Sequence, residues 1–263
     1  MTFVNEIPVP PIDMVMPELG QALFTYGQIP PLCVCIYMAF KYWQAKKSPL
    51  LFYILIAGGL ATLLEPIVDV LGLVWFPGEG SWGVFRSFNR VIPVYLFLAY
   101  AWYIGGQAMY AYKRMEQGIT TRELWQLYGI YAFLNFVIEL PGLYLGAYTY
   151  YGQKPFEVFG MPAWWAVCNP LTAITLAAII YKFKPILVGW KLPVIMVLGP
   201  VTDGLVNGAL NWPVALALNS GSSMWVPQVA SVITLCLGLM WNWGLTLITA
   251  IDSPTNATKS ATT

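Results

Sequence analysis

The stretch Glu65-Pro66-Ile67-Val68-Asp69 interrupts an otherwise apolar run from Pro49 to Phe76. Two carboxylates four residues apart share one face of a helix. The run that holds them exceeds the ~20 apolar residues needed to cross a bilayer. Charged groups at that depth are costly, so they face a polar cavity or a partner. This run therefore predicts a membrane-embedded chain with its functional centre at the acid pair.

The rest of the composition agrees. Of 263 residues, 58% are hydrophobic and only 10% charged, where a soluble domain carries about 25% charged residues. A polytopic membrane protein of one domain is expected. The net charge of +1 argues against a nucleic-acid partner. There is no histidine, which excludes imidazole metal sites, His-ligated haem and Ser-His or Cys-His catalysis. Cys33, Cys35, Cys168 and Cys236 lie in apolar segments and read as inert thiols. The first twenty residues carry Glu6, Asp13, Glu18 and four prolines but no Lys or Arg. They predict an extracytoplasmic segment rather than a cleavable signal peptide.

Seven apolar segments are expected near 21–43, 50–74, 91–112, 123–147, 162–183, 192–216 and 228–250, giving a 21–250 transmembrane domain and a polar tail over 251–263. The first, third and fifth loops and the tail hold ten Lys and Arg, Lys259 among them. The other side holds only Arg86, Arg90 and Lys154. The positive-inside rule then sets the N-terminus outside and the C-terminus in the cytoplasm. That fits a bacterial inner membrane.

Odd segments open on proline (Pro30 and Pro31, Pro93, Pro162, Pro227), and even ones carry an acid beside Pro or Gly: Glu65, Glu139 and Asp203. The pattern reads either as a repeated helical hairpin or as generic punctuation of helix ends. Asn135 lies four residues before Glu139, and Asp203, Asn207 and Asn211 share a helix face. Asn169-Pro170 interrupts the fifth segment. Such Asn residues either glue helices together or orient a ligand. Arg90, at the mouth of the third segment, is the candidate charge partner for the acids, while the aromatic connections 76–90 and 148–161 serve as interface anchors or as a lid.

A buried acid beside a carboxylate and aromatic walls suits carbocation or oxocarbenium chemistry on a greasy substrate drawn from the lipid. The same acids suit a proton relay in a transporter. An opsin-like photoreceptor fails because the seventh segment has no Lys for a Schiff base.

Three runs carry a family resemblance: Glu65 to Pro77; Arg90-Val91-Ile92-Pro93 with Ala101-Trp102-Tyr103-Ile104-Gly105-Gly106; and Glu139-Leu140-Pro141-Gly142 with Tyr148-Thr149-Tyr150-Tyr151-Gly152. Over roughly residues 60 to 170 the chain resembles AveC-type spirocyclases, bacterial membrane proteins linked to spiroketal formation in polyketide pathways. The resemblance implies acid-promoted closure of a dihydroxy ketone without metal or organic cofactor. The site itself is read from the intramembrane acids rather than from the family: Glu65 and Asp69 form the central acid pair, with Glu139 and Asp203 facing them. Arg90 would set their charge balance, and Asn135, Asn207, Asn169, Trp75 and Tyr103 would bind or orient substrate. A membrane terpene cyclase and a proton-coupled transporter are the competing expectations.

Overall fold

The computed structural model describes residues 7–251. The expected tail, apart from Ile251, and residues 1–6 of the expected N-terminal segment lie outside the described residues. The chain is mostly helical, and six of its helical runs are long and apolar enough to cross a membrane. Helices α1 (Glu18–Gly27) and α2 (Ile29–Lys46) form the first run, and α3 (Leu50–Ala61) and α4 (Glu65–Gly72) the second. Strands β1 (Val74–Trp75), β2 (Gly83–Ser87) and β3 (Arg90–Pro93) lead into α5 (Val94–Glu116). Helix α6 (Thr121–Tyr144) is the third run, followed by strands β4 (Thr149–Tyr150), β5 (Glu157–Val158) and β6 (Met161–Pro162). Helices α7 (Ala163–Cys168) and α8 (Pro170–Phe183) make the fourth run. Helix α9 (Val194–Asp203) widens into a π-helix over Gly204–Leu210 in the fifth. Short α10 (Trp212–Leu218) precedes α11 (Trp225–Thr249), the sixth.

Helix α5 has the length of a crossing, 23 residues, about 35 Å at 1.5 Å per residue. It packs between α3 and α8. The helix buries Gln107 against Asn135 of α6 and ends on Lys113, Arg114 and Glu116. It closes on α3 where Gly58 meets Gly105: a Cβ on Gly58 would lie 2.4 Å from the Gly105 nitrogen. Small residues at a crossing let two backbones approach and gain dispersion contacts that lipid cannot match. The α7–α8 run is the most enclosed, at 78% buried, and the α1–α2 run the least, at 17%.

The two ends of the bundle differ in chemistry. At one end Glu116 accepts hydrogen bonds from Tyr42 (3.2 Å) and Tyr112 (3.0 Å) and pairs with Lys184. The backbone N–H of Ile251 donates to the Ile119 carbonyl at 2.8 Å. These contacts gather the ends of α2, α5, α8 and α11 and with them the Lys-rich loops. The opposite end is capped by small antiparallel pairs, β1 with β4, β2 with β3 and β5 with β6. The β2–β3 hairpin turns through Phe88 and Asn89, both at positive φ (49° and 58°), as a two-residue hairpin turn of matching twist requires. The connections 76–90 and 148–161 are thus strand-built caps. Their Gly and Pro content concealed the short stretches of pairing.

Element boundaries also move. The first run starts at Glu18, and Pro30 and Pro31 sit inside it, opening α2 after a break at Gln28. Residues 91–93, expected as helix, are strand, and α5 begins after Pro93. The sixth expected segment breaks up beyond Asp203, because its α-helical hydrogen bonding gives way to a π-helix and then to the separate α10. Pro141 lies inside α6 without ending it.

Candidate functional site

The acids stand where helices are broken. A short 3-10 turn at Thr62–Leu64 separates α3 from α4, so Glu65 opens a new helix with Pro66 in its first turn. Asp203 closes α9 at the start of the π-helix. Opposite them, Asn169-Pro170 divides α7 from α8, because proline cannot donate to the preceding turn. Glu139 instead projects from a continuous α6, one turn before Gly142.

Glu65 and Glu139 meet in a cavity of about 60 Å³ where the two apolar core clusters adjoin. Tyr100 donates to Glu65 Oε2 at 2.5 Å. Glu139 Oε2 accepts from Tyr148 at 2.5 Å and from Tyr150 at 3.1 Å. These two tyrosines stand two apart in extended chain, where alternate side chains share a face. The remaining oxygen of each carboxylate carries no hydrogen bond from the described residues. The Tyr148 ring reaches Glu139 by lying on Gly142, where an added Cβ would sit 2.3 Å from a ring carbon.

Aromatic rings complete the wall. Phe76 lies 5.4 Å and Phe24 6.3 Å from the Tyr148 ring, and Tyr150 lies 6.2 Å from Trp165. Tyr103 stacks obliquely on Tyr100 at 6.2 Å. Its hydroxyl, near Asn169 but outside hydrogen-bond geometry, is buried without a partner. Gln28, at the break between α1 and α2, also lines the cavity, holding Trp102 Nε1 at 2.9 Å.

Asp69 is fully buried but lies outside this lining. One helical turn beyond Glu65, it meets Arg90 across 3.9 Å, and neither of its oxygens accepts a hydrogen bond. Arg90 donates to the Tyr151 hydroxyl at 2.8 Å and to the Phe88 carbonyl at 3.3 Å. Its guanidinium stands 5.5 Å from the Trp75 ring, a cation–π distance. Trp75 therefore turns away from the cavity while Val74 and Phe76 face it, as strand alternation dictates. The Glu65–Asp69 pair is thus split between the cavity and the strand cap. Burial holds the Tyr151 phenol above its ordinary range, with Arg90 partly offsetting it.

Asp203 stands beside Thr172 and within electrostatic range of Glu65. Asn207 donates to Asp203 Oδ1 at 2.9 Å, and Asn211 donates to Asn207 Oδ1 at 3.3 Å. This ladder follows the π-helix, a distortion that recurs at functional sites. Asn207 is tied to Asp203 and does not line the cavity. Asn135 likewise accepts from Gln107 at 3.0 Å, well inside the bundle. Among the described residues, no three Asp, Glu, Cys or His side chains gather as a metal site would require.

Sequence reasoning missed Tyr100, Tyr148, Tyr150 and Gln28. The alternation Tyr148-Thr149-Tyr150 soon after Glu139 was the readable signal; nothing local marked Tyr100, 35 residues from its acid. Comparison with protein-family models, characterised protein sequences and solved structures finds no significant match.

Proposed function

We propose that this protein is a membrane-embedded acid/base cyclase of a hydrophobic substrate, and that its reaction is a spiroketal closure of the kind the AveC-type resemblance implies. The observation that carries this reading is the meeting of Glu65 and Glu139, from two helices, in one cavity walled by aromatic rings. Two phenols donate to a single oxygen of Glu139, an arrangement suited to a carboxylate acting as base. Glu65 accepts from a single phenol on Oε2, which leaves its other oxygen to carry and deliver the proton.

In this scheme Glu65 protonates the hydroxyl of a hemiketal, the C–O bond breaks and water leaves. The electron-rich faces of Tyr100, Phe76 and Trp165 stabilise the oxocarbenium ion. The second hydroxyl forms the new C–O bond and gives its proton to Glu139. Return of that proton to Glu65, through the released water, resets the site. Asp69 and Arg90 hold the strand cap over it, and no cofactor enters the scheme.

For topology, we propose that α5 makes a seventh crossing, with the N-terminus outside and the C-terminus in the cytoplasm of a bacterial inner membrane. The Lys-rich loops gathered at the Glu116 end support this orientation. A proton-coupled transporter is the second reading, supported by the broken helices around Glu65, Asn169 and Asp203, since discontinuous helices bind coupling ions in transporters. Membranes containing the protein should convert a long-chain dihydroxy ketone with loss of one water, read by mass spectrometry. No conversion, together with pH-driven uptake into proteoliposomes, would replace the cyclase reading with the transporter.

A further inference from the structure

The cavity is too small for the substrate it is proposed to serve. About 60 Å³ accommodates a few water-sized groups, enough for a reacting ketone carbon and its oxygens but not for a greasy chain. The chain must lie elsewhere, and one stripe of the first helical run points to where. Phe24 and Gln28 line the cavity; Leu32 and Ile36, at the next two four-residue steps, line an open groove of about 440 Å³. Four residues rise about 6 Å along a helix, so the groove begins one turn from the cavity wall.

The opposite walls repeat the arrangement. On α5, Leu96 and Tyr100 face the cavity while Phe97 and Ala101, each one residue on, face the groove. The groove floor on α3 passes over Gly59, where an added Cβ would meet Ala101 and the Phe97 carbonyl only at 3.6 Å. The lining is almost wholly apolar. Along the stripe, Gln28 stands between Phe24 on the cavity and Leu32 on the groove, and it accepts from Trp102 Nε1 where the helix breaks before Pro30 and Pro31.

We infer that this groove between α2, α3 and α5 binds the alkyl chain of the substrate, and that the substrate reaches the acids from the bilayer past Gln28 and Trp102. The α1–α2 run is the helix to yield, because it is the least buried of the six and is already interrupted at Gln28. The inference rests on the cyclase reading for the reacting head but concerns only where the chain lies.

The test is a photo-cross-linking experiment on the purified full chain in lipid nanodiscs, read without turnover. The probe is a long-chain hydroxy ketone with a diazirine at the far end of its chain. Cross-links should concentrate on peptides containing Leu32, Ile36 and Leu55. Gly59→Phe, which fills the floor, and Ile56→Trp, at the half-exposed rim, should each cut them at least fivefold. Gly129→Phe, in an unrelated lipid-facing groove on α6, should leave them unchanged. Cross-links spread evenly over the lipid-facing surface would overturn the inference. So would labelling indifferent to both groove variants, or a phospholipid held in the groove that excess probe does not displace. Groove labelling without conversion would sink the cyclase reading alone; conversion untouched by the groove variants would sink this inference alone.

Discussion

Tyr148 donates to Glu139 across the face of Gly142, so the distance from phenol to carboxylate is set by the absence of a side chain three residues after the acid. Gly142→Ala should push the ring aside and cost activity about as much as Tyr148→Phe, on the order of tenfold for one hydrogen bond to a charged group. Both variants should still insert. The check is turnover in membranes with protein level normalised by immunoblot; full activity in Gly142→Ala would mean that Tyr148 does not set the Glu139 carboxylate.

Glu65→Gln keeps the shape and removes the transferable proton. It should lower turnover by roughly a hundred- to ten-thousandfold, the usual contribution of a general acid. Tyr100→Phe should have a smaller effect, because the acid remains. Monodisperse elution in detergent would show that loss of turnover is not loss of fold. Undiminished turnover in Glu65→Gln would remove it as the acid.

Asp69 and Arg90 make opposite predictions for single and paired changes. Either Asp69→Asn or Arg90→Gln leaves a buried charge unpaired, at a cost of about 3–5 kcal/mol. The double variant removes both charges and should recover much of that loss. Thermal unfolding of the four proteins in one detergent forms the cycle. A double variant as unstable as the sum of the singles would show that the 3.9 Å pair is not coupled.

Alkaline pH should act through the strand cap. Burial, followed by the neighbouring Glu139, holds the Tyr148 and Tyr150 phenols well above their ordinary value near 10. The folded chain therefore keeps protons that the unfolded chain releases above about pH 10, and stability falls as pH rises beyond that point. Between about pH 7 and 9 the unfolding temperature should be insensitive to these groups. A Tyr148→Phe, Tyr150→Phe variant should show a shallower decline above about pH 10. An identical decline in both proteins would place the alkaline sensitivity elsewhere.

The membrane class was legible because apolarity sustained over about twenty residues fits a bilayer crossing and little else, and the acids stood out against it. Less legible was which acids share a space. The four-residue step from Glu65 to Asp69 correctly implies one helix face, yet a cavity ends within a single turn, and the step says nothing of what lies opposite. Trp75 belongs to the wall only if 74–76 is helical; strand β1 turns it to the other side. Tyrosines posed the hardest case: Tyr100 and an exposed ring such as Tyr144 look alike in a chain with 16 of them, and only packing separates the two. Asn135 and Asn207 sat at helical spacing from acids, but the spacing could not reveal that Gln107 donates to the Asn135 amide oxygen and that the Asn207 amide donates to Asp203.

The interruptions around Glu65, Asn169 and Asp203 have an electrical consequence. Each break frees peptide dipoles from the regular ladder, and lipid offers them no partner. Together with the Asn207–Asn211 ladder and the tyrosine hydroxyls, they gather fixed dipoles around the acids within the bundle. Dipoles already oriented need no reorganisation when a charge moves between neighbouring groups.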